Sequence, residues 1–159
     1  MKIYTIGVYG STEQDFFNKL LENRIDTFCD IRQRRGVRGN EYAFVNSNRL
    51  QAKLAELDIR YGHILELAPT TEIREKQKAE DLLIGENKKD RNRLGTVFST
   101  EFKRKIVERF DFESFIEKLD HIGASRVVLF CVEKNADACH RSIVAEELHK
   151  RYKYEIINL

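Results

Sequence analysis

Residues 126–132 read RVVLFCV, and no other segment restricts the fold as much. A strand that is apolar at nearly every position has no face left for water. It belongs inside a parallel sheet covered on both sides. Parallel neighbours need long crossover connections, usually helices. The rest of the chain must therefore supply helices for two faces.

The flanking patterns agree. Residues 2–7 (KIYTIG) are rich in β-formers and predict a first strand. Gly7 and Gly10 permit a turn after it. Ser11 and Thr12 are good helix caps, with Gln14 and Asp15 three residues on. Phe16, Phe17, Leu20 and Leu21 then recur at helical spacing. Residues 25–32 (IDTFCDIR) predict a second strand, completing a right-handed βαβ unit. A loop over 33–46 precedes a helix over 48–57 and a strand over 59–65. A charged helix is expected over 71–84 and a polar loop over 85–95. Two helices over 101–110 and 112–122, broken at Asp111, lead into the 126–132 strand. A helix over 139–152 and a strand over 154–159 close the chain. The expectation is an α/β fold: one compact domain over 1–159, with a mostly parallel sheet of four to five strands flanked by helices. A charged helical and loop insertion interrupts its middle.

Composition narrows the class. The chain has 159 residues, 42% hydrophobic and 34% charged, which is too apolar for a disordered protein. No apolar run reaches the length needed to span a bilayer. The opening MKIYTIGVYG is too short and weakly basic for a signal peptide. A soluble, cytoplasmic protein with no membrane partner is expected. The net charge of +2 gives little long-range field, so nucleic-acid binding would need a local patch. Three cysteines, Cys29, Cys131 and Cys139, argue against a disulfide framework.

Ligands of open parallel sheets bind beyond the carboxyl ends of the strands. Three strand ends carry polar or reactive groups there: Tyr9 after the first, Asp30 and Arg32 at the second, and residues 131–141 (CVEKNADACHR) after the fourth. Cys139, His140 and Arg141 fall at the start of the last helix, with Asp137 or Asn135 as its cap. A helix N-terminus favours a thiolate and an anion. Cys139 is thus a candidate nucleophile activated by His140, and Arg141 an anion fork. Glu133 and Asp30 are candidate general acids or bases, and Arg32 and Tyr9 candidate substrate contacts. The bland counterparts are a buried thiol, and structural ion pairs of Arg141 or Arg32 with Glu133 or Asp30.

Other readings of these residues stay open. Cys131, Cys139 and His140, with Cys29 as a fourth donor, are possible zinc ligands, although C-x7-C-H is not a standard finger. A reversible Cys131–Cys139 disulfide is a second option. Arg32, Arg34, Arg35 and Arg38, close to Tyr42 and Phe44, form one basic cluster. Lys88, Lys89, Arg91 and Arg93 form another. Basic side chains interleaved with aromatics suit nucleic acid, and solvated loops carry the same composition.

IYTIG at the start, DIR at 30–32, the Tyr61 region, and Cys131-x-Glu133 followed by Cys139-His140-Arg141 resemble the domain of unknown function 488 family over nearly the whole chain. The resemblance implies a compact α/β domain in a bacterial or archaeal cytoplasm. It implies that Asp30, Arg32, Glu133, Cys139, His140 and Arg141 share one site. It names no reaction. The expectation is an enzyme acting on a phosphate-bearing or other anionic substrate, a small molecule or nucleic acid. The alternatives are a nucleic-acid-binding module without catalysis and a thiol redox or metal protein. No cofactor is expected and no metal is assigned.

Overall fold

A computed structural model describes residues 1–85 and 92–159. Its centre is one five-stranded sheet in the order β3-β2-β4-β1-β5, with every pairing parallel. The strands are β1 (Lys2–Ile6), β2 (Thr27–Asp30), β3 (Arg60–His63), β4 (Arg126–Phe130) and β5 (Glu155–Asn158). Six α-helices are described: α1 (Glu13–Glu22), α2 (Ser47–Glu56), α3 (Thr71–Ile84), α4 (Thr96–Lys105), α5 (Phe112–His121) and α6 (His140–Tyr152).

The apolar run becomes the middle strand. Val127 and Leu129 of β4 face one core, and Val128 and Phe130 the other. The alternation of Cβ direction along a strand produces this split. Helices α1 and α2 cover one face with Phe16, Phe17, Leu20, Leu50 and Leu54. Helices α3 to α6 cover the other with Ile73, Phe98, Phe102, Phe115, Val144 and Leu148. Each fully buried Leu, Val or Phe contributes about 1.5–3 kcal/mol of transfer free energy, so the two cores together hold the sheet between its helices.

Local signals explain several boundaries. Thr12 caps α1: its Oγ1 accepts from the Asp15 N–H at 3.1 Å and donates to the Asp15 carboxylate at 2.7 Å. Asp111 caps α5 through the Ser114 N–H, at the break that was expected there. Helix α3 runs over 71–84 as its spacing predicts. Two expectations are corrected. The helix expected over 101–110 begins at Thr96 and ends at Lys105, followed by a short 3-10 turn over Val107–Arg109. Its start is set by a tertiary contact, the Gly95 N–H donating to Oε1 of Gln77 on α3. The cap of α6 is Cys139, not Asp137 or Asn135, and the Cys139 sulfur makes no capping bond. Among the described residues, no helix is long and apolar enough to cross a membrane.

Candidate functional site

The strand order decides where a crevice opens. From β2 the chain moves outward to β3 through α2 on one face. From β4 it crosses β1 to reach β5 through α6 on the other face. Adjacent strands β2 and β4 thus send their connections in opposite directions, and ligands bind at such switch points. A cavity of about 540 Å³ lies there. Arg32, Arg34, Cys131, Glu133, Cys139 and His140 form its strand-end floor. Arg74, Gln77, Lys78 and Asp81 of α3, with Leu94 and Phe98, form the opposite wall. The middle insertion of the chain is therefore one side of the cavity.

The floor holds a compact group. The donor atoms of Cys131, Cys139 and His140 lie within 4.8 Å of one another, and all three residues are buried. The Cys139 sulfur is 3.7 Å from Nδ1 of His140. On the far side of the ring, Nε2 is 2.9 Å from the Ile31 carbonyl oxygen. A carbonyl only accepts, so Nε2 carries the hydrogen and Nδ1 faces the thiols. Phe102 packs edge-on against the imidazole at 5.3 Å. The Cys131 thiol donates to Oε2 of Glu133 at 3.2 Å. Its hydrogen bond with Cys139, together with burial, pushes the Cys131 thiol well above its ordinary range. Burial alone would depress His140, but Cys131, the Ile31 carbonyl and Glu133 together hold it above its usual value.

Asp30 and Arg32 form a second unit beside the first. Nε of Arg32 donates to Oδ1 of Asp30 at 2.8 Å, and Nη2 to Oδ2 at 2.7 Å. Asp30 is fully buried and Arg32 is 3% exposed. Tyr61 donates to the same carboxylate at 2.9 Å, and the guanidinium lies 4.6 Å from the centre of the Phe130 ring. Nη2 also reaches the Val45 carbonyl. Nη1 is buried without a hydrogen-bond partner among the described residues. A buried N–H left in that state costs about 1–3 kcal/mol, and Arg32 lines the cavity.

Arg141 and Tyr9 stand apart. Arg141, 1% exposed, spends Nη1 on the Glu133 carbonyl and Nη2 on the Lys134 carbonyl. It pins the turn that carries Glu133 and does not line the cavity. The bond goes to the backbone of Glu133, whereas Arg32 takes the carboxylate of Asp30. Tyr9 lies against Tyr42, with ring centres 5.2 Å apart, on the α1 side. Tyr42 and Phe44, expected to interleave with the basic loop, are core residues. Lys88, Lys89 and Arg91 lie outside the described residues.

Three contributors have roles that sequence reasoning did not assign. Tyr61 reaches Asp30 because β3 pairs with β2 in register, Phe28 beside Tyr61. The cavity wall from α3 is legible only once the helix is folded back. Gly7 is required by close approach: a Cβ there would collide with the Glu133 carbonyl oxygen. A further spacing, Cys29-x5-Arg35, matches that of cysteine phosphatases. Cys29 lies inside β2, however, and burial and the Asp30 charge push its thiol up to about 12. It is a core residue in place of a presented nucleophile.

Neither a curated protein nor a solved structure matches the chain. All the residues singled out at the strand ends except Tyr9 fall within the span that a family model does match, from 12 to 148. That family is described as domain of unknown function DUF488, and since the match covers most of the chain, the protein belongs to it.

Proposed function

We propose that the protein is an enzyme that converts an anionic small molecule in the cavity between the ends of β2 and β4. One observation carries the reading. A buried cluster of thiols, imidazole and carboxyl lines the same cavity as an arginine whose Nη1 lacks a partner. Buried reactive groups beside a charged donor are the pattern expected of active sites. In this scheme Arg32 holds the anionic group, with two of its nitrogens locked by Asp30 so that the unpartnered third is held without further loss of freedom. Glu133 carries protons to and from the reacting atoms. Arg34, Arg74 and Lys78 add positive charge around the mouth. Arg141 is a positioning residue, acting through the turn it pins.

A nucleic-acid module is less favoured, because Tyr42 and Phe44 are spent in the core and offer no stacking platform. The test is a turnover screen. Phosphate monoesters, nucleotides and small carboxylates are incubated with the wild type and with Glu133→Gln, and products are followed by mass spectrometry. One class should be converted, and the variant should bind it yet turn it over roughly 100-fold more slowly. Saturable anion binding without turnover would replace the enzyme by a binding module. A steep fall of affinity for oligonucleotides with salt, with no small-molecule binding, would overturn the reading.

A further inference from the structure

We propose that Cys131, Cys139 and His140 form a binding site for one divalent metal ion of the zinc class, with a coordination position open to the cavity. The proposal deepens the function given above and rests on it only for what the open position does.

Three observations converge. The first is spacing. A zinc ion held at about 2.3 Å from sulfur and 2.0–2.1 Å from nitrogen in a tetrahedron separates those two donors by about 3.6 Å. Cys139 Sγ and His140 Nδ1 are 3.7 Å apart, and Cys131 Sγ falls within 4.8 Å of both. The third donor therefore needs only a small side-chain adjustment. The second is orientation. The imidazole presents a lone pair toward the thiols because its other nitrogen is tied to the Ile31 carbonyl at 2.9 Å. Metal-ligating histidines are held in this way. The third is access. All three residues line the cavity. Three protein donors with one side facing a cavity match a catalytic zinc site, whereas structural sites close with four.

The competing explanations fit less well. A pair of small buried thiols needs no anchored histidine beside them. Cys29 makes the contrast: it is equally buried, yet it stands outside this donor group and does not line the cavity. A Cys131–Cys139 disulfide would use two sulfurs and leave the anchored imidazole without a role. Two thiolates and an imidazole are soft donors, which select zinc, cobalt or copper(I) over magnesium or calcium.

The chemistry balances. Binding of M²⁺ releases two thiol protons and leaves a site of zero net charge. Glu133 is not one of the three compact donors, yet its carboxylate touches Cys131 at 3.2 Å. A water taking the open position would be acidified by the metal, and Glu133 stands where it can accept that proton. Cys139 is then a ligand and not a free nucleophile.

The experiment is a cobalt(II) titration of the reduced, full chain, followed by visible absorption. The expected result is one equivalent bound, with intense tetrahedral bands, a thiolate-to-cobalt charge-transfer band, release of two protons and displacement by zinc. Cys139→Ser and Cys131→Ser should weaken binding by on the order of 100-fold or more, and Cys29→Ser should leave it unchanged. His140→Gln should bind more weakly and lose intensity, and circular dichroism of each variant reports whether the fold is kept. Glu133→Gln should keep the cobalt spectrum. Weak octahedral bands, or binding that survives both serine variants, would overturn the site. Copper(I) titration that displaces cobalt while zinc does not would overturn the zinc class. The outcomes also separate the two proposals. Turnover in a chain that fails to bind cobalt removes the metal site and keeps the enzyme. A cobalt spectrum of the expected kind with no turnover of any anion keeps the site and removes the enzyme.

Discussion

The ends of the strands and the contact between α3 and α4 are electrically different structures. At the strand ends the charges of Asp30, Arg32 and Arg141 are buried and have fixed partners. Asp30 and Arg32 interlock through two hydrogen bonds, and Arg141 is held by two carbonyls. Where α3 packs on α4, behind the wall, a network of exposed and half-buried charges is shared. Lys76 and Lys105 of α3 and α4 each bridge both Glu72 and Glu101, and Arg104 joins the same set. Buried charges are costly to desolvate and are kept only with good geometry. Exposed pairs are weak and screened by salt. The strand-end charges are thus the rigid side of the comparison and the α3–α4 network the adaptable side.

The sharpest way to break this contrast is Asp30→Asn. It leaves the Arg32 guanidinium buried without its counter-charge, and the chain should lose about 3–5 kcal/mol in urea denaturation. An unchanged midpoint would mean that the strand ends tolerate charge as the α3–α4 network does. Gly7→Ala should come next. The added methyl meets the Glu133 backbone, and moving that turn should cost about 1–3 kcal/mol. The variant should also blunt the cobalt spectrum, because the turn precedes Cys139.

Glu101→Gln probes the α3–α4 network. Hydrogen bonds from Lys105 and Lys76 hold the Glu101 carboxyl down at about 2, against an ordinary 4.5. A carboxyl depressed in the folded state contributes stability that is complete above about 4.5 and lost as pH falls toward 2. Thermal unfolding of wild type and variant should therefore differ above pH 5 and converge near pH 2. The difference should shrink in high salt. A gap that is insensitive to salt would place Glu101 with the strand-end charges.

The smallest effect is expected at Cys29. With its thiol near 12 and 1% exposed, it should resist alkylation at neutral pH in the folded chain. Peptide mapping by mass spectrometry measures this. Rapid modification at pH 7 would show that β2 opens locally, and would weaken the claim that the strand ends are rigid.

The layered architecture was largely legible because it is written in local patterns. The all-apolar 126–132 run, the helical spacing of Phe16, Phe17 and Leu20, and the Thr12 cap each report on residues close in sequence. The start of α4 was not, because Gln77 on another helix sets it. The site was legible as residue types at strand ends, and Cys139, His140, Glu133 and Arg32 do meet at one cavity. Their roles were less so. Arg32 and Arg141 look alike in sequence, and each proves buried. One forks a carboxylate beside the cavity and the other staples a turn.

By itself the sequence determined that strands and helices alternate, that the sheet is covered on both faces, and that reactive groups gather at its carboxyl edge. These follow from hydrophobic period and element order. Only the tertiary structure decided that β4 inserts between β2 and β1. That insertion brings Ile31 to the His140 ring and sets Arg32, clasped by Asp30, on the floor of one crevice. It also turns both sulfurs toward Nδ1. Such placements depend on long-range packing, where groups over a hundred residues apart settle each other's partners, and no local pattern records them.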